Sequence, residues 1–302
     1  EAIPTRSEVL GLEDTQEENG IMPGNISSLL GDIAGIQMQE VSAASGNTYA
    51  RIQGLNGRYT QLLKDGLPLY GGLSGNFGIM QVPPLDLKQI EIIKGSCSTL
   101  YGGDAIGGII NLVSKDPMPQ QELSATVNET SLHETNLNAY LAKKYKTFGY
   151  TLFAGQTWRQ ATDVNGDGLS ESSRVRSTVI HPKFQFYLDP RSTLTVDYTG
   201  TFDNRKGGDM RYLSSGSGSY YHVGTQSDRH SVTAKYVNNL SPTSNITVKA
   251  SGSNLDQIID TRNYNFRANQ LLYYSELSYF RQFDNMNWVI GANFNGDQFH
   301  NR

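Results

Sequence analysis

Oxygen-bearing side chains alternate along a short polar segment near the middle of the chain. Asp163, Asn165 and Asp167 are each separated by one residue, and a glycine follows the third. This spacing is typical of calcium-binding loops, in which carboxylate and amide oxygens bind the cation. The twelfth position is Arg174 rather than glutamate, which excludes an EF-hand. We predict a partial calcium site, completed by Asp209 from another loop, and an ordinary polar turn is the alternative.

Basic and phenolic side chains are concentrated in a second polar segment, residues 203–228. Guanidinium and phenol groups suit an anionic metal chelate through charge-assisted hydrogen bonds and stacking. A glycine-rich segment, residues 69–78, also carries aromatic and amide groups, and such loops often bind ligands. The candidate ligand-binding residues are Tyr70, Asn76, Phe77, Ser98, Arg211, Tyr212, Tyr220 and Tyr221. The alternative is that they are solvated loop residues or pack against neighbouring structure.

No group of residues predicts catalysis. The five histidines are scattered, and the sequence contains neither G-x-S-x-G nor H-E-x-x-H. A net charge of −4 argues against a nucleic-acid partner. Cys97 is the single cysteine, so no internal disulfide constrains the fold.

A strand, a glycine-rich turn and a second strand are predicted within residues 89–111. Isoleucines at 90, 92 and 93 predict one buried strand, and apolar residues at 109, 110, 112 and 113 predict the other. The glycines between them permit backbone angles and close approaches that a Cβ atom forbids. No phosphate-binding G-x-x-x-x-G-K-[ST] is present and a strand follows the glycines, which argues against a nucleotide site.

Period-two alternation recurs after residue 120, for example at Leu194, Val196 and Tyr198. It predicts about nine strands of about 10 to 13 residues. Short turns near residues 147, 190, 242 and 285 alternate with long polar loops at 160–173, 203–228 and 258–268. This asymmetry is typical of a transmembrane β-barrel, which a mean hydropathy of −0.45 does not reveal. A soluble β-sandwich is the alternative.

Four motifs in residues 49–55, 62–69, 82–95 and 100–111 follow one another in the order found in a known family. They include Arg51 before a glycine, an Asp-Gly turn at Asp65, a proline-led strand, and a Leu-Tyr-Gly to Gly-Gly loop. In these features the chain resembles the plug domain of TonB-dependent outer-membrane receptors. Lys94-Gly95-Ser96 departs from the family's usual basic-Gly-Pro turn.

The resemblance implies a mainly β chain with two parts. Residues 1–118 are expected to form an α/β plug domain, and residues 119–302 the antiparallel strands of an incomplete 22-stranded transmembrane β-barrel. The family also implies a signal peptide and a TonB-binding segment ahead of Glu1. Candidate plug core and gating residues are Arg51, Gly54, Asp65, Gly66, Glu91, Lys94, Gly95, Tyr101, Gly102, Gly107, Gly108 and Asn111. Among them we predict that Arg51 and Glu91 take part in buried charge pairing that fixes the plug to the barrel, with Lys94 and Asp65 in the same network.

The function implied by the resemblance is active uptake of a ferric siderophore across the outer membrane of a Gram-negative bacterium. The expected partners are TonB with its inner-membrane motor proteins, an extracellular metal chelate and outer-membrane lipid, without nucleic acid. Calcium is the one cofactor considered. A cobalamin receptor with calcium-ordered loops is the first alternative, followed by haem uptake and a non-transporting outer-membrane binding protein.

Overall fold

A computed structural model of the chain describes residues 6–42, 47–69, 79, 82–96 and 105–301. Several residues selected from the sequence lie outside the described residues: Tyr70, Asn76, Phe77, Ser98, Tyr101 and Gly102. Among the helices of the described part, none is long and apolar enough to span a lipid bilayer.

In its described residues, the N-terminal unit contains two small sheets and two short helices. Its five-stranded sheet has the order β1-β6-β7-β4-β5, and a hairpin of β2 and β3 lies beside it. The strands are β1 Arg6–Leu10, β2 Ile36–Ser42, β3 Asn47–Ile52, β4 Thr60–Lys64, β5 Leu67–Pro68, β6 Leu87–Lys94 and β7 Gly108–Ser114. The helices are α1 Leu12–Ile21 and α2 Ser27–Gly31, with 3-10 turns at Gly57–Tyr59 and Pro84–Asp86.

The two isoleucine-rich strands predicted from the sequence form the centre of this unit. β6 and β7 pair antiparallel with Ile92 opposite Ile110, and both side chains are fully buried. The predicted need for glycine is clearest at Gly108, which has a φ of +145°. A Cβ atom there would lie 2.3 Å from the Ile93 carbonyl oxygen, so a larger residue would separate β6 from β7.

The second unit is one antiparallel sheet of nine strands in sequence order, with β8 and β16 at its edges. The mainly β fold class is therefore confirmed. The strands are β8 Glu122–Glu129, β9 Glu134–Lys144, β10 Phe148–Arg159, β11 Arg174–Asp189, β12 Ser192–Gly208, β13 His222–Ser241, β14 Ser244–Thr261, β15 Tyr264–Gln282 and β16 Asn287–Asn301. A short helix, α3 Met210–Ser215, lies between β12 and β13.

Burial on this sheet is the reverse of that in a soluble protein. The predicted apolar faces point outward: Val232 is 52% exposed and Leu277 56%. Polar residues of the inner face are buried, as with Asp197 and Ser231 at 7% exposed. Exposed apolar and buried polar residues are the arrangement of a sheet whose outer face contacts lipid.

The outer apolar side chains align across strands into a band. Its rows run from the level of Ile246 and Tyr279, through Val196, Ala234 and Ala250, to an upper edge at Phe202, whose row already contains Asp228 and Asp256 on the neighbouring strands. Successive rows on one face are two residues apart, so these rows span about 25 Å along tilted strands, the height of a lipid-facing band. Above Phe202 the outer face becomes polar.

The strand lengths and two of the loops differ from the sequence predictions. β11 to β16 contain 15 to 20 residues rather than about 10 to 13. The loop predicted at 258–268 is wrong, because β14 and β15 join through a two-residue turn, and the loop predicted at 203–228 is restricted to 209–221. These strand ends mix apolar and polar residues on both faces, as at Ile258, Ile259 and Phe266, so alternation does not reveal them. The predicted loop at 160–173 lies between β10 and β11.

We predict that Ala234→Arg, in the middle of the apolar band, lowers the free energy of unfolding by about 2–4 kcal/mol. Gln226→Arg is the control, since it adds the same charge to the same face of β13 above the band. Its expected cost is about 0–1 kcal/mol. Chemical unfolding of the full-length protein in lipid vesicles measures both, and equal costs would contradict a lipid-facing outer surface.

Candidate functional site

The N-terminal unit contacts the inner face of the nine-stranded sheet mainly through polar groups. The Asn138 amide donates to the Pro23 carbonyl at 2.7 Å, and Arg229 donates to the Leu69 carbonyl at 3.2 Å. Lys249 reaches the Gly66 carbonyl at 3.4 Å. Because both surfaces are buried here, each unpaired polar group would carry a desolvation cost, which makes the contact specific.

Asp86 is at the centre of this contact. The 3-10 turn Pro84–Asp86 points its carboxylate at β11, where Oδ2 lies 2.6 Å from Nδ1 of His181. The Lys64 ammonium lies 3.5 Å from the same oxygen. Burial by itself would raise the pKa of the Asp86 carboxyl, but His181 and Lys64 outweigh burial and hold this pKa below its ordinary value. Asp86 is therefore a buried anion held by a cation from each unit.

His181 continues this interaction across the sheet. Its ring is fully buried, and Nε2 lies 3.5 Å from Oδ1 of Asp197 on β12, an ion-pair distance rather than a hydrogen-bond distance. The Thr233 hydroxyl of β13 donates to the other oxygen of Asp197. One imidazole thus lies between a carboxylate of the N-terminal unit and one of the sheet, and we name Lys64, Asp86, His181 and Asp197 the buried charge cluster.

Lys183 forms a second contact, two residues further along β11. Its ammonium donates to the Ser114 hydroxyl at 3.0 Å, the Lys115 carbonyl at 3.1 Å and the Asp116 carboxylate at 2.9 Å. Burial opposes ionisation of Asp116, yet the Lys183 charge holds the pKa of this carboxyl below its ordinary value. Lys183 therefore fixes the connection between the two units at its start.

Among the described residues, the predicted charge pairing of Arg51 and Glu91 with the barrel is wrong, because the partners of both side chains lie in the N-terminal unit. Arg51 donates to the Gln39 side chain at 2.9 Å and to the carbonyl oxygens of Gly54 and Leu55, all within the N-terminal unit. Glu91 instead accepts from Gln89 at 2.7 Å and from Asn111 at 2.8 Å. The two strands that carry Arg51 and Glu91 belong to different sheets, so their spacing in the sequence does not bring them together.

The other predicted core residues stabilise turns within the N-terminal unit. Lys94 pairs with Glu8 at 2.5 Å and donates to the Ala34 carbonyl. Asp65 accepts from the backbone and hydroxyl of Ser114 at 2.9 and 2.6 Å. The Gly66 amide donates to Asn111 at 3.0 Å and the Gly95 amide to the Gly107 carbonyl at 3.1 Å. Of this set, Gly66 contacts the sheet directly through Lys249, and Asp65 is linked to it through the Ser114 that Lys183 also binds.

His181 and Lys183 are residues that the sequence analysis did not select. A signal was present, because both lie in the period-two row that includes Val179 and faces inward on β11. Two ionisable residues on a buried face require partners. The identity of those partners, Asp86 and Asp116, depends on packing between the two units.

The predicted ligand-binding residues of the second polar segment lie together at the end of the sheet opposite the short turns. Asp209 caps α3 and binds the Arg211 guanidinium at 2.6 Å. Arg211 lies 4.4 Å over the Tyr220 ring, and Tyr212 stacks on His222 at 3.9 Å. Tyr221 is not part of these contacts and is 51% exposed.

The acidic loop forms a compact turn with converging carboxylates. Asp163 accepts from the backbone amides of Gly166 and Gly168 at 2.7 and 2.8 Å. The predicted ligand Asn165 accepts from the Asp167 amide at 2.9 Å. Ligand oxygens of Asp163, Asp167 and Glu171 lie within 4.8 Å of one another. Glu171 therefore joins the predicted group, whereas the Asp209 carboxylate is bound to Arg211.

Comparison with known proteins identifies the fold. Residues 2–109 match the family model described as TonB-dependent Receptor Plug Domain. The siderophore receptor PirA from Acinetobacter baumannii is 17% identical, with a TM-score of 0.74 over 97% of this chain and 48% of PirA. The ferric citrate transporter FecA in the unliganded form is 15% identical, with a TM-score of 0.74 over 98% of this chain and 48% of FecA. The copper transporter OprC is 14% identical, with a TM-score of 0.77 over 98% of this chain and 46% of OprC. The chain thus spans about half the length of these structures.

We predict that His181→Ala weakens the contact between the two units by about 3–5 kcal/mol, because it leaves two buried carboxylates facing each other without a cation between them. His230→Ala is the matched control, since His230 is exposed on the outer face and binds Tyr198. Hydrogen exchange of β6 and β7 in the full-length protein measures the effect. Equal exchange rates in the two variants would contradict this role of His181.

Proposed function

Because residues 2–109 match the plug-domain model of TonB-dependent receptors and the chain shares its fold with solved receptors and transporters, we propose that it belongs to an active importer of the bacterial outer membrane. The proposed substrate is a scarce metal chelate, with a ferric siderophore as the first candidate. Solved structures with the same fold include a siderophore receptor, a ferric citrate transporter and a copper transporter, which supports this class of substrate.

The observation that carries the proposal is the buried charge cluster between plug and sheet. Separating Asp86 from His181 leaves buried charges without partners, and this costs several kcal/mol. Passage of a large solute past such a plug therefore requires an input of work. TonB with its inner-membrane motor proteins is the proposed source of that work.

The proposed ligand surface is the end of the sheet formed by α3 and the 209–221 loop. Tyr220 and Tyr221 offer phenol rings, and the Arg211 guanidinium lies on one of them. Its pairing with Asp209 neutralises much of the Arg211 charge. Recognition of a chelate is therefore expected to depend more on the aromatic groups than on this arginine. The other residues predicted to bind the ligand, Tyr70, Asn76 and Phe77, lie outside the described residues.

We predict uptake of a radiolabelled ferric siderophore by cells that carry the full-length receptor, and its loss when TonB is deleted. Tyr221→Ala is expected to weaken uptake roughly tenfold in apparent affinity, because a large aromatic contact is removed. Tyr145→Ala is the control, with nearly equal exposure, 53% against 51%, at the opposite end of the sheet. Uptake that persists without TonB would support a diffusion pore or a non-transporting binding protein instead.

The second candidate function is cobalamin uptake with calcium-ordered loops. It is favoured by the converging carboxylates of Asp163, Asp167 and Glu171. Haem uptake is a weaker candidate, because His222 is stacked on Tyr212 and its Nδ1 lies 3.1 Å from the Tyr220 carbonyl. We propose no enzymatic activity, in keeping with the receptors and transporters that share this fold.

We predict that, if cobalamin is the substrate, calorimetric titration of the full-length receptor shows tight binding that requires calcium. Glu171→Gln is then expected to weaken calcium binding at least tenfold, because a carboxylate ligand is lost while a side-chain oxygen remains for the Val164 amide. Asp284→Asn, in a turn at the other end of the sheet, is the control. If calcium titrated into the unaltered protein produced no heat of binding, the 160–173 loop would be an ordinary turn rather than a calcium site.

A further inference from the structure

We propose that a groove on the outer surface of β10 and β11 binds the phosphate of a membrane lipid headgroup. We name it the outer groove, and it is lined mainly by Trp158, Arg174, Arg176 and the α3 residues Met210 and Leu213. This site borders the proposed ligand surface at α3 but lies apart from the buried charge cluster, and it does not depend on which solute is transported.

The height of the outer groove places it at the edge of the lipid. Trp158, Arg176 and Asn204 occupy one register row on the outward face of their strands. The next row below contains Phe202, the last row of the apolar band. Trp158 is 42% exposed, and partly exposed tryptophans mark the depth of lipid headgroups in membrane proteins. The groove therefore opens where the outer headgroups lie.

The cations of this surface suit a phosphate. Within the described part of the chain, neither the Arg176 guanidinium nor the Lys206 ammonium has a hydrogen-bond or ion-pair partner. Arg174 lies opposite Lys206 in the row above, and one of its nitrogens donates to the Leu213 carbonyl at 2.8 Å. Three positive charges thus lie in two adjacent rows, and basic pockets at this depth attract anionic headgroups.

The shape of the outer groove fits a headgroup rather than a flat surface contact. Its volume is about 590 Å³, with α3 forming one wall and the ends of β8 to β10 the other. One carboxylate, Glu129, lies in the groove and accepts a hydrogen bond from the Thr135 hydroxyl. Two arginines of the outer face therefore oppose a single acid that already has a donor.

The cluster of positive charge is local to this part of the outer surface, because Arg267 is a single arginine in the row of Arg176 further around the sheet. Further around the sheet, Asp228 and Asp256 lie opposite each other in register on β13 and β14, at the height of Phe202. A general attraction to the membrane would not require basic residues on one part of the outer surface and acidic residues on another. The distribution instead favours one anionic group held beside α3.

The test is native mass spectrometry of the full-length receptor, purified in a neutral detergent and titrated with diphosphoryl lipid A. The unaltered protein is expected to retain one lipid molecule, and Arg176→Ala with Lys206→Ala is expected to lower the retained fraction at least tenfold. Arg267→Ala is the control, because Arg267 is an exposed arginine in the same register row as Arg176, on β15. Arg176→Lys with Lys206→Arg keeps both charges and is expected to retain the lipid.

Two further arms separate the headgroup from other occupants. Dephosphorylated lipid A is expected to bind at least tenfold more weakly, and millimolar inorganic phosphate is expected to leave the bound lipid in place. Equal lipid retention by the alanine variant and Arg267→Ala would overturn the proposal. Displacement by inorganic phosphate, or a receptor dimer in place of the bound lipid, would overturn it as well.

Discussion

The burial of Asp86 between Lys64 and His181 is the constraint on which the relation of the two units depends. A carboxylate placed on the inner face of a sheet must be paired, since desolvation of an isolated charge costs far more than a domain contact returns. Its partners come from both units, so neither unit satisfies its own charges alone. The N-terminal unit is consequently held in one position. If it were removed, each charged group of the buried charge cluster would need a new partner.

This arrangement suits a structure that is stable at rest and opens only when work is done on it. Apolar packing tolerates sliding, but the 2.6 Å contact between Asp86 and His181 tolerates very little displacement. Lys183 adds a second fixed point at the connection between the units. A pull on the plug would therefore break a few discrete polar contacts rather than a broad apolar surface. Buried pairs of this kind define position more than they add net stability.

The nine-stranded sheet provides two environments for these contacts. Its outer band is apolar and exposed, while its inner face is polar and buried against the N-terminal unit. Above the band, the long strands continue with polar residues on both faces and carry α3 and the 209–221 loop away from the lipid. The outer groove lies at the change between these two regions, where a lipid headgroup and a basic side chain meet.

The sequence by itself determined the strand faces, the isoleucine strands of the N-terminal unit and the resemblance of its motifs to a known family. These features are local, because period two and turn chemistry are set by residues within a few positions of one another. The tertiary structure decided which charges meet. Asp86 and His181 are 95 residues apart, and Arg51 found partners within its own hairpin and turn rather than at Glu91. The strand ends at 258–268 were also settled by register with neighbouring strands, since their apolar and polar residues are mixed on both faces and leave no alternation for a sequence pattern to detect.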